Sequence, residues 1–139
     1  MARVIETELI YRDGFQFLKI KVRGILSGAV VGAGMEALDA HAEYRGGAPV
    51  LWDLLDADLS QYTTAEMEIS NRFFERYPER RNTKSASLVA DHGAMLLSRL
   101  WAVYDRDKFP QQRKAFFELE EALAWFAAEP DERILHAEA

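Results

Sequence analysis

Between Glu6 and Gly24 two runs of alternating apolar residues flank Arg12-Asp13-Gly14. Asp-Gly between such runs marks a tight hairpin, because both central turn positions need positive φ. The pattern predicts two antiparallel strands. In the second, Leu18, Ile20 and Val22 alternate with Lys19, Lys21 and Arg23, which places the aliphatics on a covered face and the charges in water. From about Val30 to Tyr44 the apolar positions Val31, Met35, Leu38 and Ala42 recur at the spacing of one helical face, and Gly46-Gly47 ends that helix. Pro49 to Leu55 follows as a short continuous apolar run, Val50-Leu51-Trp52, ending in Asp53, which suits a central strand buried on both faces.

Asp56 to Thr64 reads as a polar loop. Thr63 with Glu66 three residues later has capping-box spacing, so a second helix is predicted from there to about Arg76. Its Met67, Ser70, Phe74 and Tyr77 share one stripe, and Pro78 with the charged Glu79-Arg80-Arg81-Asn82 ends it. Ser85 to Ala90 reads as another buried strand. After Asp91-His92-Gly93, Leu96, Leu100 and Val103 form a helical stripe with Leu97, Trp101 and Tyr104 beside it. Lys114 to Leu119 is the predicted last strand and Glu120 to Ala128 a closing helix with Leu123 and Phe126 inward. The order ββαβαβαβα argues an α/β fold, a mixed sheet of about five strands carrying about four helices. Residues 1–129 form one expected domain, and 130–139 a loose tail.

The length of 139 residues fits one autonomous core, and 49% hydrophobic with 29% charged residues is ordinary globular composition. There are no cysteines, which excludes disulfides, thiolate metal sites and cysteine nucleophiles and fits a reducing compartment. Met1-Ala2-Arg3-Val4-Ile5-Glu6 turns charged too early for a secretory leader, and no stretch approaches the roughly 20 apolar residues of a membrane span. A cytoplasmic location is expected. With 17 basic against 23 acidic residues, a net charge of -6 repels phosphate backbones, so nucleic acid is not an expected partner.

Val22-Arg23-Gly24 before the first helix, Val50-Leu51-Trp52-Asp53, the strand from Ala86 to Asp91, and above all the ending Phe116-Phe117-Glu118-Leu119-Glu120-Glu121-Ala122-Leu123-Ala124-Trp125-Phe126 carry a resemblance. With the order of elements over about residues 6–128, they resemble the STAS-like, SpoIIAA-like group related to anti-sigma-factor antagonists. The resemblance implies a β-sheet with helices on one side, a docking or regulatory role, and no reaction. Phosphorylatable members of the wider fold carry an Asp-Ser-Ser-Gly type motif at the start of the second helix. This chain has Gln61-Tyr62-Thr63-Thr64 there, so only the hydroxyl of Thr63 stands in the corresponding place.

Several features compete between chemical and packing readings. Thr63 is either a phosphate acceptor, which would add about two negative charges at a helix start, or a plain N-cap. Gly32-Ala33-Gly34-Met35-Glu36-Ala37 is a G-x-G-x-x-A string with the acid Asp53 about 20 residues on, a paper fingerprint for a dinucleotide. It lacks the strand that should directly precede Gly32. His41, His92 and His136 have no companion at metal-ligand spacing, and no metal or cofactor is expected. His92 beside Asp91 is a conceivable proton-transfer pair, although such a pair more often caps a helix or faces solvent. Ser27 and Ser98 lack the G-x-S-x-G elbow of a serine nucleophile. Arg72, Arg76, Arg80, Arg81 and Lys84 form the one basic patch, an anion or acidic-partner site or else solvated charge partly neutralised by Glu75 and Glu79.

Met95, Trp101 and Tyr104, with Phe73 and Phe74, either pack the core or line a pocket or dimer face, and the third helix is apolar over more of its surface than one buried stripe requires. The expected function is non-enzymatic protein docking or regulation through the third helix and the loop from Asp56 to Thr64, with a protein partner or a second copy in a homodimer. The contact candidates are Asp53, Asp56, Thr63, Met95, Trp101 and Tyr104. A small-ligand carrier, for an apolar molecule or a nucleotide at Gly32 to Gly34, is the alternative. An enzyme using Asp53, Asp56 or His92 is the least favoured reading.

Overall fold

The computed structural model describes residues 4–12, 14–41, 47–80, 83–105 and 112–128. The elements run β1 (Ile5–Arg12), β2 (Phe15–Ile25), α1 (Gly28–Glu36), β3 (Val50–Asp58), α2 (Thr64–Phe74), β4 (Lys84–Leu88), α3 (His92–Asp105), β5 (Gln112–Phe116) and α4 (Leu119–Ala127). The predicted order ββαβαβαβα is the observed one. The residues expected as a tail after Pro130 lie outside the described residues, as does Asp13 of the hairpin turn. That turn joins Arg12 to Phe15, with Gly14 at φ 86°, a conformation that glycine adopts without steric cost.

The five strands lie in sequence order, β1 antiparallel to β2 and every later neighbour parallel. Each parallel step moves the same way across the sheet, and right-handed crossovers then put all three connecting helices on one face. Accordingly Val31 and Met35 of α1, Met67 and Phe74 of α2, and Met95 and Trp101 of α3 share one core with Ile20, Val22, Val50 and Trp52. The last helix is not a crossover and is free to take the other face. There Ala122, Leu123 and Phe126 of α4 pack on Phe17, Leu51, Ala86 and Phe116, so helices cover both faces of the sheet and not the one side that the resemblance implied. Strand alternation feeds both layers: Leu18, Ile20 and Val22 are fully buried on one side and Phe17 on the other.

Boundaries shift in ways that have physical causes. The first helix stops at Glu36 and tightens into a 3-10 turn over Ala37–Ala40, while the predicted end from Ala42 to Gly46 falls outside the described residues. The predicted strands Ser85 to Ala90 and Lys114 to Leu119 pair only over Lys84–Leu88 and Gln112–Phe116. The largest shift concerns β3, which continues through the expected loop, because Asp56, Ala57 and Asp58 pair with Arg23, Gly24 and Ile25. Between Asp53 and Asp56 the strand gains one residue against β2, a bulge that the hydrophobic pattern does not signal.

Candidate functional site

The third helix starts where Asp91 caps it: its Oδ1 accepts the Ala94 N–H at 2.8 Å, and its carbonyl accepts Met95 N–H. The helix buries Met95 and Trp101, half-buries Leu97 and Tyr104, and leaves Leu96, Leu100 and Val103 at 64%, 59% and 65% exposure. The stripe that the spacing singled out is therefore the outward one. Both stripes are apolar at helical spacing, and the inward side is the one whose Trp101 removes more area from water. Trp101 stacks edge-on against Tyr62, ring centroids 4.7 Å apart, and Tyr104 donates to Glu68 Oε1 at 3.0 Å, tying α3 to α2. At the start of α3 the exposed His92 ring lies against Phe117, itself 38% exposed, so the apolar face continues past the helix end.

Beneath Trp101 is a cavity of about 60 Å³ between this helix layer and the sheet. Leu26, Val31, Trp52, Leu54 and Phe74 supply its apolar wall, and Ser85, Ser87, Ser98 and Arg113 its polar side. Ser85 pairs with Val50 and Ser87 with Trp52, so both serines face the helices on a central strand where aliphatics would close the space. Ser98 Oγ and Trp101 Nε1 are buried without a hydrogen-bond partner among the described residues. The Arg113 guanidinium lies over the Phe74 ring, 4.8 Å from its centroid. The alternation Ser85-Ala86-Ser87 on a buried strand was the sequence signal for this cavity, and sequence reasoning passed over it.

Asp53 is on the opposite face of the sheet from Trp101. Its carboxylate, 4% exposed, meets Lys21 Nζ at 3.5 Å and Lys19 Nζ at 3.7 Å, and its Oδ1 accepts Leu55 N–H. The bulge in β3 turns Asp56 to the same side, 3.2 Å from Lys21. Lys21 is consequently held protonated above the ordinary lysine range, chiefly by its hydrogen bond to Asp56 and then by the charge of Asp53. The lysines expected in water are thus partly covered and paired. An aspartate so occupied is a fold-internal counter-ion, not a ribose ligand.

The dinucleotide reading fails on position as well. Gly32 and Gly34 sit inside α1, which starts at Gly28 after the Ser27 cap, so neither is at a helix N-terminus. A Cβ at Gly32 would come within 2.4 Å of the Phe73 ring, one at Gly34 within 2.8 Å of Trp52, and one at Gly28 within 2.6 Å of the Glu66 carbonyl. These glycines serve close packing of α1 on α2 and the sheet.

Thr63 is exposed and holds the N-cap position of α2, yet its side chain makes no capping bond, so the predicted capping box does not form. The basic cluster is dispersed. Arg80 is buried and donates to the Ala48 carbonyl, Lys84 donates to the carbonyls of Trp125 and Ala128 at the end of α4, and Arg76 pairs with Glu36. Arg81 lies outside the described residues, as does His136. His41 bonds Thr7 Oγ1 through Nε2 at 2.8 Å, and no three metal-ligating side chains converge among the described residues. Asp53 and Asp56 are together on one face, Met95, Trp101 and Tyr104 together on the other, and Thr63 at the start of α2.

No family model and no curated protein matches the chain. Two solved structures are among those that match the chain. One is an uncharacterised protein of the DUF3478 family with a SpoIIAA-like fold from Shewanella loihica PV-4, at 16% identity over 88% of this chain and 94% of that one, with a TM-score of 0.63. The other is an anti-sigma factor antagonist from Mycobacterium paratuberculosis, at 17% identity over 89% and 95% of the two chains, with a TM-score of 0.46. The chain has a SpoIIAA-like fold. Among the described residues no helix is long and apolar enough to cross a membrane.

Proposed function

We propose that this chain is a non-enzymatic docking or regulatory module of the cytoplasm that engages a protein partner along the outer face of α3. The exposure of Leu96, Leu100 and Val103 carries the reading, because three large aliphatics at i, i+4 and i+7 offer a ready seam for an amphipathic helix laid alongside. The partner's chemistry follows: a helix with its own apolar stripe and few charges on that stripe. Thr63 is the proposed phosphate acceptor, its exposed hydroxyl free of capping duty at the start of α2. The candidate acids and bases have structural tasks instead, Asp91 as a cap and Asp53 between two lysines.

The test compares the native chain with a Leu96→Asp, Leu100→Asp double variant, first by crosslinked capture in its own cell and then by titration with each purified candidate. A partner bound by the native chain and lost by the variant supports the reading. Equal binding by both forms removes α3 as the docking face. A concentration-dependent dimer in light scattering that the variant abolishes would make a second copy the partner, an isologous contact.

Small-ligand binding is a second reading, favoured by one specific observation, the cavity under Trp101 with its buried indole N–H left without an acceptor.

A further inference from the structure

We infer that the cavity between α3 and the β4–β5 half of the sheet binds a short, uncharged aliphatic carbonyl compound, its oxygen accepting hydrogen bonds from Trp101 Nε1 and Ser98 Oγ. The inference rests on the ligand-binding reading and names the chemistry of its site. Trp101 is 8% exposed, and its indole N–H, which can only donate, has no acceptor among the described residues. A buried donor in that state is costly, and a ligand that brings an acceptor to it relieves the cost. Ser98 Oγ is buried in the same condition, and Ser98 stands three residues before Trp101 in α3, the spacing at which helix side chains are neighbours. A carbonyl oxygen offers two lone pairs and no proton. One such oxygen can serve both donors without adding a donor of its own to the buried space.

The surroundings set the charge and size of the ligand. Leu26, Val31, Trp52, Leu54 and Phe74 face the space and suit an unsubstituted aliphatic tail. A carboxylate drawn in here would need a cation committed to it, and the Arg113 guanidinium on the wall already lies over Phe74 and has a further partner. An uncharged acceptor needs no counter-ion. A cavity of about 150 Å³ admits benzene and about 10–15 Å³ admits one water, so a volume of roughly 60 Å³ admits about two to five heavy atoms. Acetone falls within this range and a long acyl chain outside it. Ser85 and Ser87, small residues on the helix-facing side of β4, keep the space open.

The experiment is a titration of the full chain, ¹⁵N-labelled, with acetone, following the tryptophan indole N–H signals by NMR. Sodium acetate and isobutene are probes of the same shape, the first charged and the second without an acceptor. Trp125 packs on the far side of the sheet with Phe116 and Phe126 and serves as an internal reference, while Trp52 lines the cavity and is a second reporter. The expected result is a saturable downfield shift of the Trp101 indole proton with acetone and an unmoved Trp125. Isobutene and acetate should each bind at least about fivefold more weakly, the scale of one hydrogen bond. Trp101→Phe keeps a ring and removes the N–H. Read at Trp52, it should weaken acetone about fivefold and leave isobutene unchanged. Ser87→Val, which fills the cavity, should abolish binding with the Trp125 signal in place. Acetate bound as tightly as acetone overturns the uncharged assignment, and isobutene bound as tightly overturns the hydrogen bond from Trp101. In either case ligand binding stands. No saturable shift of Trp101 or Trp52 by any of the compounds overturns both.

Discussion

Thr63 shows how a residue in the right place need not do the expected work. It ends in extended backbone at φ -85°, ψ 176°, as an N-cap should, but its hydroxyl accepts no helix N–H. Thr63→Ala is therefore expected to lower stability by much less than the ~1 kcal/mol of a working cap, as measured by urea unfolding. A full cap-sized loss would show that the hydroxyl bonds the helix in solution. Lys21 makes the opposite case, a side chain with more partners than alternation promised. Its pKa is raised above 10.5, so the stabilisation from Asp56 and Asp53 is fully present below that pH and is lost as pH rises through the folded value. In Lys21→Met the stability gap to the native chain should stay constant from neutral to mildly alkaline pH and narrow only beyond it. A gap that closes near neutrality would refute the ion-pair account.

Among the elements, α3 is the one whose two faces compete. Asp replacements at Leu96 and Leu100 fall on exposed positions, so each should change stability by no more than about 0.5 kcal/mol, the usual range for surface changes. Trp101→Ala, by contrast, removes a buried aromatic that meets Tyr62 and should cost about 3–5 kcal/mol. Thermal and urea unfolding of the three variants measure both. If the Leu96 or Leu100 variant were as damaging as Trp101→Ala, the exposed face would be covered in the native protein, and the docking proposal would lose its surface. The glycines of α1 belong to the same scale. Read as a string they resemble a phosphate loop, and read as part of a helix they are the points where Phe73, Trp52 and the α2 backbone come closest.

For the molecule as a whole, one sheet is shared by two cores, three helices on one side and α4 on the other. Leu51 and Trp52 are neighbours in β3 that serve opposite layers, so neither layer can dissolve without disturbing the strand that carries the other. Phe126→Ala in the α4 layer and Met67→Ala in the three-helix layer should each lower the urea midpoint without changing the slope, as one cooperative unit requires. A biphasic transition in either variant would mean that the layers unfold separately. The outer strands also bear on solubility. Glu6, Glu8 and Arg12 on β1, with Lys114 on β5, put charge on both edges of the sheet and discourage pairing with other chains.

The order of elements, the hairpin at Gly14 and the buried stripes of β2 and α2 were legible in the sequence, because local propensity and the periods 2 and 3.6 act along the chain itself. Met67, Ser70, Phe74 and Tyr77 are all buried as their spacing required. Those signals say that a face is apolar, not which neighbour receives it. Only the tertiary structure decided that α3 turns Trp101 inward and Leu100 outward, since both stripes satisfy the helical period and the choice depends on volume fit against Tyr62. Only it placed Asp56 beside Lys21, through a bulge that exists because two strands must keep register. The cavity under Trp101 likewise arises from residues of β3, β4, β5, α1, α2 and α3 meeting in space, and the alternation Ser85-Ala86-Ser87 marks only one of those six elements.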